Sequence, residues 1–266
     1  FKRTELGFNT GVDLNSASMP QIPAVKKQIM GSVKGLLLAW DPVAQVEAWR
    51  ADYPGPSNGG VLTTAGNLVI QGTAGGEVLA YRADNGEKLW SAAAQTGVLA
   101  GPVSYAAGGE QYIAVAAGWG GVFSLAPGEI GLMSGRVANI SRILAYKLGG
   151  SAELPPAVPL AELAFNPPEL EANDETVTRG KFLYHRHCVV CHGDAAVSGG
   201  LLPDLRASPT INDSQVFASI VLEGARGPLG MVSFAAELDG EDAEAVRAYL
   251  VARAHESLAL AGADAP

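Results

Sequence analysis

The residues of this chain best placed for chemistry are Cys188-Val189-Val190-Cys191-His192. Two thiols separated by two residues can add across the two vinyl groups of a porphyrin. The histidine directly after the second thiol can then present a ring nitrogen to the iron. Cys-x-x-Cys-His is the attachment pattern of haem c. Both cysteines of the chain lie in this motif, so none is left for a disulfide, and a disulfide-stapled scaffold is excluded. Three other readings compete. A zinc site needs two more good ligands, and only His185 and His187 are near. A thioredoxin-like redox pair needs a βαβ context, which is absent. A chance match is the third, and the flanking sequence argues against it.

An iron held by His192 on one side needs a second ligand on the other. Met231 lies 39 residues after His192 and is the only methionine beyond Met133. It sits in the Gly/Pro-bounded run Gly227-Pro228-Leu229-Gly230-Met231-Val232-Ser233-Phe234. A thioether ligand raises the reduction potential of haem iron, which suits an electron carrier. A lone methionine is more often core packing. His255 is the alternative ligand. Between them lies Pro203-Asp204-Leu205-Arg206. Pro203 is expected to pack on the proximal haem face and Arg206 to pair with a haem propionate, an ordinary surface arginine being the plain alternative.

These groups must be positioned by helices. Asn173 or Asp174 can N-cap a helix running to about His187, just ahead of the motif. Asp239 can cap a final helix from Gly240 to about His255, with Ala243, Val246, Leu250 and Ala254 on one face. Gly180 and Tyr249 form a small/large pair that lets the two helices cross closely.

The chain ahead of this region has another composition. Residues 31–149 hold short apolar runs separated by glycine pairs, with Asn67–Gln71 and Gln111–Val115 at strand length. There is an internal repeat. Ala39-Trp40-Asp41-Pro42 leads to Trp49, and Ala80-Tyr81-Arg82-Ala83-Asp84-Asn85-Gly86 leads to Trp90; both pairs, Ala39 to Ala80 and Trp49 to Trp90, are 41 residues apart. A period of about 40 residues closed by a tryptophan is that of propeller blades, though any hairpin with Asn-Gly and Trp has some of these features. Residues 31–149 suffice for two to three blades, and a closed propeller needs at least four. The chain is therefore not expected to be a complete propeller. Residues 150–173 carry Pro155, Pro156, Pro159, Pro167 and Pro168 and read as an extended linker. The expected organisation is multidomain: 1–149 all-β partial propeller, 150–173 linker, 174–266 all-α cytochrome c domain.

Composition limits the function classes. The chain has 266 residues, 48% of them hydrophobic, enough for a sizeable core. A net charge of −9 with 17% charged residues argues against nucleic acid as a partner, because phosphate binding needs clustered Lys and Arg. No apolar run reaches the length of a membrane-spanning helix. The first residue is Phe1, and the opening residues carry no export signal, which reads as a mature product or a piece of something longer. Covalent haem is assembled outside the cytoplasm, so the expected compartment is the periplasm.

Taken together, the repeat, the linker and the haem motif resemble the quinohaemoprotein alcohol dehydrogenases over almost the whole chain. The resemblance rests on Gly7-Phe8-Asn9-Thr10-Gly11, Leu38-Ala39-Trp40-Asp41-Pro42, Asn58-Gly59-Gly60 through Val69, and Gly109 through Gly121. It implies an eight-bladed propeller, of which this chain has the last blades, binding pyrroloquinoline quinone (PQQ) and Ca2+. The catalytic aspartate, the Ca2+ ligands, a vicinal-cysteine disulfide and most quinone contacts belong to a propeller part ahead of this chain, so no catalytic residue is expected here. The Gly-Trp-Gly-Gly turn implies quinone contacts at Ala117, Gly118 and Trp119, a tight turn with Trp119 as packing being the alternative. Ser57 stands where the family often has a tryptophan, which puts the cofactor site or substrate preference in question.

The resemblance implies oxidation of a small alcohol at the quinone, then passage of electrons through the haem to a soluble cytochrome or copper protein, or to a quinone. An N-terminal propeller chain or fragment is the expected partner. The runner-up is a haem c electron-transfer subunit with no dehydrogenase site. A structural propeller fragment with a degenerate cytochrome is a third reading.

Overall fold

A computed structural model describes residues 19–20, 22–121 and 125–263. Gly7–Gly11, one of the strings that carries the resemblance, lies outside them. The described residues of Gln21–Ser124 and Glu129–Ala161 form one compact unit. Those of Phe1–Pro20, Leu125–Gly128 and Glu162–Pro266 form the other.

The first unit opens with helix α1 (Pro23–Ser32), which has Pro23 in its first turn and buries none of its residues. The sequence has no apolar face there to announce it. Among the described residues nine strands follow: β1 (Gly35–Asp41), β2 (Val46–Tyr53), β3 (Val61–Thr64), β4 (Leu68–Gly72), β5 (Glu77–Arg82), β6 (Lys88–Ala93), β7 (Val103–Ala107), β8 (Glu110–Ala117) and β9 (Arg142–Tyr146). They form three sheets, β1-β2, β3-β4-β5-β6 and β7-β8-β9, with every paired strand antiparallel.

The 41-residue repeat is a repeat of structure. Ala39 pairs with Trp49 and Ala80 with Trp90, and each hairpin shifts register just after that alanine, between Ala39 and Trp40 and between Ala80 and Tyr81. A bulge at the same point of each unit bends both hairpins alike. Trp49 shows why the repeat needs its tryptophan. It is buried, stacks on Tyr81 at 6.3 Å and donates from Nε1 to the Ala83 carbonyl at 2.9 Å. It thus ties its hairpin to the next one. Gly86 in the Asn85-Gly86 turn lies against the same ring, where a Cβ would stand 2.7 Å away at a φ of +74°. Trp90 is less buried and meets Tyr146 edge-on at 5.1 Å.

The second unit is helical. Helix α2 (Asp174–His187) is capped by Asn173, whose Oδ1 accepts from the Thr176 amide at 2.9 Å. Helix α3 (Val189–His192) is a single turn, and α4 (Ser214–Val221) is capped by Asp213. Helix α5 (Gly240–Ala263) begins where Asp239 accepts from the Asp242 amide and runs eight residues past the expected end at His255. The sequence beyond His255 stays rich in Leu and Ala and has no helix-stopping residue before Gly262. Ala243, Val246, Leu250 and Ala254 all lie in the core, with Tyr184, Phe217, Phe234 and Tyr249.

The crossing of α2 and α5 is set by Gly180. A Cβ there would lie 1.8 Å from the Ala245 carbonyl oxygen and 3.0 Å from the Tyr249 Cβ. The close approach is therefore to backbone first and to Tyr249 second. The first obstacle is a helix backbone that a side-chain rotation cannot clear. Gly180→Ala is expected to cost this unit about 1–3 kcal/mol or more by overpacking, read as a lowered midpoint in urea unfolding followed by helical circular dichroism.

Candidate haem site

The motif follows directly from the end of α2. Cys188 caps α2, its amide donating to the Tyr184 carbonyl at 2.8 Å, and the same residue begins α3. The amides of Cys191 and His192 both return to the Cys188 carbonyl, at 3.1 and 3.0 Å. Cys188, Cys191 and His192 are thus gathered on one tight turn. Cys188 is buried and Cys191 exposed, and neither is in a disulfide. Burial, with Cys191 adding to it, pushes the Cys188 thiol up to about 12.

His192 is half-buried. Burial holds its imidazole below the ordinary range, and the Pro203 carbonyl opposes that shift. Nδ1 of His192 is buried without a hydrogen bond of good geometry, so the Pro203 contact is a loose one. A metal-bound imidazole uses its second nitrogen in this way, donating to a carbonyl or carboxylate. The group that Pro203 offers the histidine is therefore its carbonyl; its side chain is exposed.

Met231 follows a 3-10 turn, Gly227–Leu229, and the left-handed Gly230. Its amide donates to Arg226, and its side chain, partly buried, packs against the helical core with Val190, Leu205 and Leu222. Motif, thioether and a partly covered apolar rim thus belong to one cluster. The donor set fits haem c: two free thiols on one turn, an imidazole with an unused buried nitrogen, and a thioether.

The other candidates are engaged elsewhere. His255 Nε2 meets the Pro168 carbonyl at 2.8 Å. Arg206 is buried: its guanidinium donates to both oxygens of Asp204 at 3.0 and 2.7 Å and to Ser257 at 3.1 Å, and lies 5.3 Å from the Phe165 ring centre. It is a structural cross-link between the Asp204 turn and α5, which uses three of its five N–H donors. His185 is buried against Lys181 and Asp194. Among the described residues no group of three or more His, Cys, Asp or Glu side chains could hold a metal ion, so the zinc reading has no support there.

In the β unit, Ala117, Gly118 and Trp119 line an open cavity of about 760 Å3 together with Leu99, Arg142 and Ile143. Gly118 has a φ of +142°, and its amide donates to the Gly97 carbonyl at 2.8 Å. The Trp119 ring rests on Gly97, its amide donates to Asn139 Oδ1 at 3.1 Å, and its Nε1 is buried without a partner. Arg142 and Asn139 were not readable as site residues. They stand some 20 residues beyond the glycine turn, in no motif, and only the pairing of β8 with β9 brings Arg142 opposite Ala117. Ser57 takes a left-handed φ of +68°, with its buried hydroxyl unpartnered.

Comparisons with known proteins follow this division. The model of the glucose/ethanol/alcohol dehydrogenase beta-propeller domain matches residues 39–113, and that of the cbb3-type cytochrome c oxidase subunit III matches residues 175–250. The chain is 45% identical over 254 residues to quinohemoprotein alcohol dehydrogenase ADH IIB of Pseudomonas putida, covering 95% of this chain and 35% of that one. It is 40% identical over 251 residues to the dehydrogenase subunit of alcohol dehydrogenase (quinone) from Komagataeibacter europaeus, covering 94% and 34%. The solved structure of quinohemoprotein alcohol dehydrogenase ADHIIG from Pseudomonas putida HK5 superposes with a TM-score of 0.80 at 44% identity, covering 87% of this chain and 33% of that one. The chain spans about a third of the length of these relatives.

The site also carries a pH dependence. His187 Nδ1 is buried without a partner, its ring edge-on to Phe234 at 6.0 Å, and burial followed by the Arg186 charge pushes its imidazole below the ordinary 6.5. The folded state prefers neutral His187. Its contribution to stability is therefore whole above pH 6.5 and is lost as pH falls below it. Urea midpoints measured from pH 8 to pH 5 are expected to fall, and to fall less in His187→Gln.

Proposed function

Because the chain is homologous to the C-terminal third of the quinohaemoprotein alcohol dehydrogenases, a PQQ-propeller fragment followed by a cytochrome c domain, we propose that it is the electron-output end of such an enzyme. The observation that carries this reading is the single turn that gathers Cys188, Cys191 and His192, with Cys188 in the core against which Met231 packs. When bound, PQQ supplies two-electron oxidation of a small alcohol and haem c supplies one-electron transfer onward.

This chain's residues hold and tune. Cys188 and Cys191 anchor the porphyrin covalently. His192 and Met231 ligate the iron, the thioether favouring its reduced state. The Pro203 carbonyl lies where it can accept from the histidine's second nitrogen, which makes no well-formed hydrogen bond of its own. Tyr184, Phe234 and the rim of Val190, Leu205 and Leu222 exclude water on the core side. Ala117, Gly118 and Trp119 supply one wall of the quinone pocket, and Arg142 adds a positive charge suited to an anionic cofactor. The organisation is blades over 1–149, linker over 150–173 and cytochrome over 174–266, the short segment Leu125–Gly128 and the described residues ahead of Gln21 being grouped with the cytochrome. Ca2+, the general base and the remaining quinone contacts come from a partner carrying the rest of the propeller. The compartment is the periplasm, and the acceptor is a soluble redox protein or a quinone. Among the described residues no helix is long and apolar enough to cross a membrane.

The repeat supports such a partner. β1 and β2 correspond to β5 and β6, 41 residues on, and β5 pairs on its other edge with β4 through Leu68–Gly72. β1 has no such neighbour among the described residues, and Leu36, Leu38 and Trp40 on it are 44%, 42% and 52% exposed. An unpaired apolar edge strand is a liability unless a further strand covers it.

Expressed with haem c maturation, the full chain is expected to gain the mass of one haem under denaturing conditions, and Cys188→Ala or Cys191→Ala to lose the two-bond attachment. Met231→Ala is expected to lower the haem potential and abolish the long-wavelength absorption of sulfur-ligated ferric haem. Alcohol should reduce the haem only when a PQQ-loaded propeller partner is present. Reduction by alcohol with this chain alone would overturn the reading of an incomplete dehydrogenase. A haem-loaded chain that binds no propeller partner would favour an independent electron carrier.

A further inference from the structure

The chain reverses immediately after His192 through an unusual backbone. Gly193, Ala195 and Ala196 all have positive φ, at +86°, +52° and +63°. Alanine pays a steric penalty in that region, and such conformations persist only where surrounding structure over-determines them. Here four contacts do so. The Tyr184 hydroxyl donates to the Gly193 carbonyl at 2.8 Å, and Arg253 Nε on α5 donates to the Ala195 carbonyl at 3.0 Å. The other two converge on the side chain of Asp194. Its Oδ1 lies 3.1 Å from Nε2 of His185, and its Oδ2 accepts from the Met19 amide at 2.8 Å.

His185 is almost wholly buried, its Nδ1 is 2.8 Å from the Lys181 carbonyl, and its ring lies between Tyr184 and Tyr249 at 5.3 and 5.9 Å. It is therefore fixed to α2 and cannot follow Asp194 if the turn moves. The Asp194 amide is used as well, donating to the Ala126 carbonyl at 2.9 Å. Gly128, at a φ of +58°, comes so close that a Cβ would stand 2.6 Å from the Asp194 carbonyl oxygen. Three separate pieces of chain, around Met19, around Ala126 and on α2, thus meet on one residue two positions after the histidine.

We propose that Asp194 is the positioning residue of the haem-binding histidine: held between His185 and the Met19 amide, its carboxylate locks the left-handed turn after His192 and so sets the plane of that imidazole and the charge the iron feels. This rests on the haem reading above. A carboxylate two residues from the ligating histidine favours the oxidised state, and a ring nitrogen bonded to that carboxylate offsets part of its charge.

The test uses the haem-loaded full chain and two variants. Asp194→Asn keeps size and an acceptor for Met19 but removes the charge. His185→Gln removes the imidazole and leaves the carboxylate. The readouts are intact mass, the midpoint potential by redox titration, and the electron paramagnetic resonance g-values of the ferric haem, which report ligand plane. With haem attached, Asp194→Asn is expected to raise the potential and His185→Gln to lower it, each by up to about tenfold in the ratio of reduced to oxidised haem at fixed poise, or about 59 mV for one electron. Both should alter the g-values.

Wild-type potential and g-values in both variants would overturn the proposal. So would shifts of the same sign, which mark general loosening of the pocket. If Asp194→Asn fails to fold, the sign and g-values of His185→Gln decide it. Absence of haem from the wild-type chain would instead overturn the haem reading itself.

Discussion

The helical unit depends on one close approach, that of α2 to the backbone of α5 at Gly180. A helix can come that near to a neighbouring carbonyl only where it has no side chain. The approach buries Tyr184 and His185 on α2 against Tyr249 on α5, and it fixes where α2 ends. Because Cys188 is both the cap of α2 and the start of the next turn, the position of both thiols and of His192 is inherited from that crossing. The same crossing aims the Tyr184 hydroxyl at the Gly193 carbonyl, so the backbone on the far side of the histidine is held from the same place.

The β unit depends on a different device, repetition. Each hairpin offers a tryptophan opposite an alanine, and Trp49 is buried only because the next hairpin places Tyr81, Ala83 and Gly86 against it. Such a unit cannot satisfy its own faces. It passes the need for a neighbour along the chain until a ring closes or a strand is left bare. Among the described residues, β1 pairs only with β2 and leaves Leu36, Leu38 and Trp40 exposed. A propeller fragment and a helical cytochrome c domain thus coexist in one chain.

Much of this was legible without coordinates because the signals were local. The haem motif is five consecutive residues, the capping residues precede their helices, and the 41-residue offset is visible by eye. The apolar face of α5 is legible because helical periodicity makes neighbours of Ala243, Val246, Leu250 and Ala254 whatever they pack on. What escaped was set by partners far away in sequence. The burial of Arg206 against Ser257 and Phe165 is set by such partners. α1 has no buried face to betray it. The cavity wall at Ala117, Gly118 and Trp119 gained Arg142 only through strand register.

By itself, the order of residues determined the chemistry and its inventory: which side chains can bond a porphyrin, which can ligate iron, how many blades the chain has residues for, and where α2 and α5 begin. Those follow from covalent connectivity, local hydrogen bonding and periodicity, which act within a few residues. Only the tertiary structure decided how the histidine is held. The left-handed turn after His192, with two alanines in an unfavoured conformation, is written in no local preference. It exists because Tyr184 and His185 on α2, Arg253 on α5 and the Met19 amide, from three places in the chain, converge on it, and long-range contacts of that kind outweigh the backbone's own tendencies.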